Sequence, residues 1–153
     1  MKFRALLDKF DRLASCLQSP LLLAIRLYWG WQFFVSGRGH LMNLDKTTAF
    51  FTDLHIPMPR LNAIAAGSVE CAGGILLLLG LFARPVAVPL IATMVVAYLT
   101  AESEALHAIF DDPDKFVSAS PFLFMLAALI VLAFGPGKFS LDALLFRKPA
   151  SGT

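Results

Sequence analysis

The sequence predicts an all-α integral membrane protein: a four-helix bundle with an amphipathic surface helix at each end and both termini in the cytoplasm. Three observations predict it. Hydrophobic residues make up 58% of the 153 and charged residues only 16%, well outside the composition of a soluble domain; mean hydropathy is +0.71. Four apolar segments, at about 20–37, 61–82, 85–100 and 119–134, are separated by polar or Pro/Gly-bearing stretches. Finally, Lys2, Arg4, Lys9, Arg12, Arg84, Lys138, Arg147 and Lys148 fall on the side of the termini, against Arg38, Lys46, Arg60 and Lys115 on the other. Basic residues accumulate in cytoplasmic segments, which sets the orientation.

Residues 1–19 place Phe3, Leu6, Leu7, Phe10, Leu13, Ala14 and Leu17 at helical spacing, with Lys2, Arg4, Lys9 and Arg12 between them. Such a helix suits a membrane surface with acidic headgroups; an arm packed on the protein itself is the other use of the pattern. Asp8, Lys9, Asp11 and Arg12 interrupt any signal-peptide core. The membrane domain is expected over 20–146 and a polar tail over 147–153. Pro20 suits a helix start, so span one is read as 20–37, carrying Arg26, Trp29 and Phe33, with Ser36-Gly37-Arg38-Gly39 ending it.

Residues 40–60 form a linker with a short amphipathic turn around Phe50, Phe51 and Leu54, closed by Pro57 and Pro59. Span two, 61–82, covers roughly 33 Å at 1.5 Å per residue, enough for a hydrocarbon core of about 30 Å. One charge lies inside it, Glu70, where an unanswered carboxylate costs several kcal/mol. Ala66, Gly67, Gly73 and Gly74 flank it at helical spacing, so another helix can approach closely and Glu70 faces a helix seam. Arg84-Pro85 turns the chain into span three, which contains Pro89 and ends near Tyr98. An acidic loop follows, with Glu102, Glu104, Asp111, Asp112 and Asp114 against Lys115; it reads as a solvated turn. Span four leads to the Gly135-Pro136-Gly137 breaker, after which Ser140 caps a short amphipathic helix with Asp142 in its first turn.

Arg26 is the expected partner of Glu70. The assumed boundaries put Arg26 about 9 Å inside the cytoplasmic face and Glu70 about 12 Å inside the outer one, a gap of roughly 9 Å in height that two long side chains bridge. The alternative leaves Arg26 at the headgroups and Glu70 protonated, bonded to a backbone carbonyl or to a hydroxyl such as Ser68 or Thr93. Either way, ionisable residues at membrane depth mark a functional site. No metal site is expected: His40, His55 and His107 fall in outward loops without paired ligands. Cys16 and Cys71 are too far apart in depth for a disulfide. No nucleotide fingerprint or nucleic-acid module is present.

The arginine-bearing first span closing in glycines, the pattern Glu70-x-x-Gly73-Gly74-x-Leu76 with Gly80-Leu81, and above all Gly135-Pro136-Gly137-Lys138-Phe139-Ser140-Leu141-Asp142 resemble the DoxX/DoxD family of small four-helix bacterial inner-membrane proteins over about 20–145. The chain departs from relatives that close span one with His-Gly-x-x-Lys; here Arg38 and His40 stand in that region. The resemblance implies a quinone-reactive membrane subunit of an oxidoreductase or oxidative-stress system in the inner membrane. Glu70 and Arg26 would manage protons and charge, and Trp29, Phe33, Tyr98 and His40 would surround a quinone. The implied partners are the lipid bilayer, a redox partner subunit and a second copy of the chain. A non-catalytic scaffold for soluble redox partners, or a small-solute or lipid-binding transporter, are the competing readings.

Overall fold

The computed structural model describes residues 2–146; Met1 and the expected polar tail lie outside them. Eight helices account for nearly all of this stretch, and among the described residues there is no strand.

Helix α1 runs unbroken from Lys2–Met42, roughly 60 Å at 1.5 Å per residue. This corrects two expectations. The helix does not break at Pro20, so a separate surface helix over 1–19 is not formed. A proline in a helix removes one N–H and crowds the carbonyl four residues back; Pro20 is exposed, where solvent can take up that carbonyl. Nor do the glycines at 37 and 39 end the helix. Gly37 is retained in it because α3 lies against it: a Cβ there would stand 2.6 Å from the Gly67 carbonyl oxygen. From Leu22 onward α1 buries Leu22, Arg26, Gly30, Phe33 and Gly37, one face at helical spacing.

The expected linker holds a ten-residue helix, α2 (Leu44–Asp53), folded against the end of α1 by the Thr47 hydroxyl, which donates to the His40 carbonyl at 3.2 Å. Helix α3 (Pro59–Leu79) buries Ala63, Gly67, Glu70, Gly73, Gly74 and Leu77. It ends where Gly80 turns left-handed at φ 65° and the Leu81 N–H reaches back to the Leu76 carbonyl at 2.9 Å, the arrangement that closes many helix ends. Helix α4 (Ala83–Thr100) buries Ala83, Ala87, Leu90, Met94 and Tyr98. Two short turns, α5 (Ser103–His107) and α6 (Pro113–Ser118), carry the acidic loop to α7 (Ser120–Phe134). A last turn, α8 (Leu141–Leu145), is capped by Ser140, whose hydroxyl accepts from the Ala143 N–H at 3.1 Å.

Helices α3 and α4 are long and apolar enough to cross a membrane, and α7 is a shorter apolar helix of 15 residues. Helix α1 packs along α3, α3 on α4, α4 along α7, and α7 returns to α1. Phe33, Leu77, Ala87, Leu90, Met94, Ala128 and Val131 fill the space they enclose.

Candidate functional site

The α1–α3 seam is built from glycine. Gly30 and Gly37 on α1 are seven residues apart, as are Gly67 and Gly74 on α3, and in this antiparallel pair Gly30 meets Gly74 while Gly37 meets Gly67. A Cβ on Gly74 would stand 2.7 Å from the Gly30 carbonyl oxygen. Close backbone approach of this kind is what small residues provide where helices associate in lipid. It fixes the register of the two helices and with it the partners of Glu70.

Glu70 is 4% exposed. The Ser36 hydroxyl donates to its Oε2 at 2.8 Å, and His40 Nδ1 lies 3.4 Å from the same oxygen. That distance makes an ion pair when the imidazole is protonated, but the approach is off the line of a hydrogen bond, and Nδ1 has no other partner among the described residues. Ser36 and His40 are four residues apart on one face of α1, one on each side of the close contact at Gly37. His40 lies beyond the span read as 20–37.

The expected Arg26–Glu70 pair is not formed. Arg26 precedes Ser36 by ten residues, about 15 Å along α1, which is beyond the reach that the assumed span boundaries allowed. Arg26 is fully buried at the other end of the α1–α3 seam. Its Nη2 donates to the Phe139 carbonyl, and its guanidinium lies over Gly80, at the carboxyl end of α3. Asp142 supplies the opposing charge. The Asp142 carboxylate accepts from the Phe82 and Ala83 N–H groups, at 2.8 and 3.0 Å, at the start of α4, and its own N–H donates to the Gly80 carbonyl at 2.9 Å. A cation thus stands at the negative end of one helix and an anion at the positive end of the next. The Gly135–Asp142 motif is the clasp that holds them there.

The other expected ligand-binding residues also separate. His40 lines a cavity of about 750 Å³ together with Ser36 and Glu70. Trp29 and Phe33 do not line it; they pack edge-on against Phe124, ring centroids 5.0 and 4.8 Å away, and Phe124 forms part of the cavity wall. Tyr98 is turned away, stacked on Phe116 at 4.8 Å with its hydroxyl donating to the Phe116 carbonyl at 2.8 Å. Ser36 and Phe124 were not singled out from sequence. Ser36 stands four residues before His40, a spacing that points to a shared face once α1 is carried through its glycines.

The cavity lies between α1, α2 and α3 on one side and α4 and α7 on the other, and is mostly apolar, with Glu70 and His40 at the α1–α3 wall. Its volume is in the range of small-molecule sites, about 300–1,000 Å³. Glu70 Oε1 has no partner among the described residues. A carboxylate and an imidazole in contact at an apolar cavity can hydrogen-bond a polar group and exchange a proton with it.

The family model for DoxX matches residues 21–103, more than half of the chain. The uncharacterized membrane protein Rv3486 of Mycobacterium tuberculosis is 34% identical over 151 residues, covering 91% of this chain and 90% of its own length. The inner membrane protein YphA of Escherichia coli is 32% identical over 128 residues, covering 80% of this chain and 88% of its own length. No solved structure matches. With family model and full-length relatives in agreement, the chain belongs to the DoxX family and is a membrane protein.

Proposed function

We infer that the chain is a multi-pass inner-membrane protein of four spans, α1, α3, α4 and α7, with both termini in the cytoplasm, acting as the quinone-reactive subunit of a redox system. The packing of α1 and α7 alongside the two helices of spanning length supports four spans. The excess of basic residues near the termini supports the orientation. Cys16 is exposed on the terminal side of α1. A membrane-impermeant maleimide is expected to label it in inverted vesicles and not in intact spheroplasts; the reverse pattern would invert the topology.

The observation that carries the redox reading is the Ser36–Glu70–His40 cluster on the wall of the apolar cavity. A quinone takes up protons as it is reduced and returns them as it is oxidised. Glu70 and His40 are the groups placed to hold those protons, and the apolar remainder of the cavity suits the ring. Electrons would come from a partner subunit. Arg26 takes no part in this site; its role is in the clasp. Decylubiquinone added to the protein in liposomes is expected to quench fluorescence from Trp29, which touches the cavity residue Phe124. A protein that binds no quinone by this or any direct measurement would overturn the reading.

A further inference from the structure

The walls of the cavity are unequal. The α1–α3 wall is closed at backbone contact: a Cβ on Gly74 would stand 2.5 Å from the Phe34 nitrogen. On the α1–α7 side Trp29 and Phe33 close on Phe124. The α4–α7 wall is filled by Leu90, Met94, Ala128 and Val131. Helices α3 and α4 meet where Gly73 lies on Leu90, since a Cβ on Gly73 would be 2.9 Å from Leu90 Cδ2. Beyond that contact, toward Pro59 on α3 and Thr100 on α4, the two helices no longer fill the space between them. Ala66 and Val69 from α3 and Ala92, Thr93 and Val96 from α4 line one common space, and Ala92 and Val96, on the edge of α4, are exposed. The cavity is therefore open on its α3–α4 flank. The side chains bordering that opening are small or apolar. The charged groups on its wall are elsewhere, Glu70 and His40 at the α1–α3 side and His55 and Glu102 at the end nearest the loops.

We propose that this flank is the entrance and tail slot of the site, and that its ligand is a single-tailed amphiphile drawn from the outer leaflet of the bilayer. The polar head sits at Glu70 and His40, and an isoprenoid or alkyl tail leaves between Ala66 and Ala92. The cavity exceeds what a ring alone needs, and where it runs between α3 and α4 its lining is small or apolar. A water-soluble ligand would gain nothing from this slot. A tail gains for each methylene removed from water or packed against protein. The proposal rests on the reading of the cavity as a ligand site, and takes that ligand's class one step further.

Two measurements separate the proposal from that reading. A spin label on Ala66→Cys, in a background with Cys16 and Cys71 replaced by serine, reports what fills the slot without any ligand. Relaxation by oxygen, which concentrates in lipid, is expected to exceed relaxation by a water-soluble nickel chelate; the reverse would show a slot open to outer water and overturn the proposal. The second measurement compares decylubiquinone with the tail-less ring, ubiquinone-0, on Ala92→Leu, an exposed position where the larger side chain narrows the slot without entering the core. Affinity for the decyl compound is expected to fall about tenfold, the scale of one or two methylenes losing their contacts, with the tail-less ring unaffected. Equal losses, or no loss, would overturn the tail slot. Binding of neither compound to the unaltered protein, with the label still reporting lipid, would sink the quinone reading and leave the lipid opening standing.

Discussion

Gly80→Ala is expected to abolish accumulation of folded protein. Gly80 has φ 65°, and an L side chain in the left-handed region costs about 1–2 kcal/mol before any contact is counted. Here the contacts are severe. A Cβ would overlap Arg26 Nη1 and stand 2.6 Å from Ser140 Cβ. The tip of a surface arginine would simply swing aside, but Arg26 is fully buried. Its guanidinium is held over the end of α3 by Phe139 and opposed by Asp142. Moving it strands a charge in a low-dielectric interior, a loss of about 3–5 kcal/mol. Against a total stability of about 5–15 kcal/mol, the sum is a large fraction. The measurement is the yield of monodisperse protein after detergent extraction, with the thermal midpoint of whatever survives. Gly39→Ala is the control: nothing lies within 4 Å of a Cβ there, the position is helical, and alanine is favoured over glycine in a helix by roughly 0.5–1 kcal/mol. If Gly80→Ala accumulates and melts like Gly39→Ala, the clasp is not what holds the α3–α4 turn.

The clasp also marks where the sequence could and could not be read. The all-helical class, the membrane character and the small-residue seam around Glu70 were legible because they depend on composition and on spacing within one helix. The Gly135–Asp142 motif, which lies beyond the segment 21–103 that the family model matches, was legible as a resemblance but not as a mechanism. Its role depends on which turn it docks against, and its contacts reach residue 26, 113 positions away, and residues 82 and 83, 60 and 59 positions away. The pairing of Arg26 with Glu70 failed for a related reason. Two buried opposite charges invite pairing, but the relative height of two helices is set by how their surfaces mesh, here by Gly30 on Gly74 and Gly37 on Gly67. Reading Gly37 and Gly39 as a helix end assigned His40 to a loop and so hid its place one turn beyond Ser36. The general propensity of glycine to end helices lost to the packing gained when α3 lies directly on the backbone of α1.

Glu70→Gln tests whether the buried carboxylate works or merely fits. The amide has the same shape and can still accept from the Ser36 hydroxyl, so the thermal midpoint is expected to change little. The negative charge is what goes. A side chain that exchanges protons with a reacting group contributes about 10²–10⁴-fold to rate, so quinone turnover with the native partner subunit is expected to fall by at least about 10²-fold. A His40→Gln variant should also lose turnover, and the double variant should be no slower than the worse single one, because the two residues act as a unit. The opposite pattern is a large fall in thermal midpoint with normal turnover per folded molecule. It would make Glu70 and His40 a structural tie between α1 and α3, and the cavity beside them a gap in the packing rather than a site.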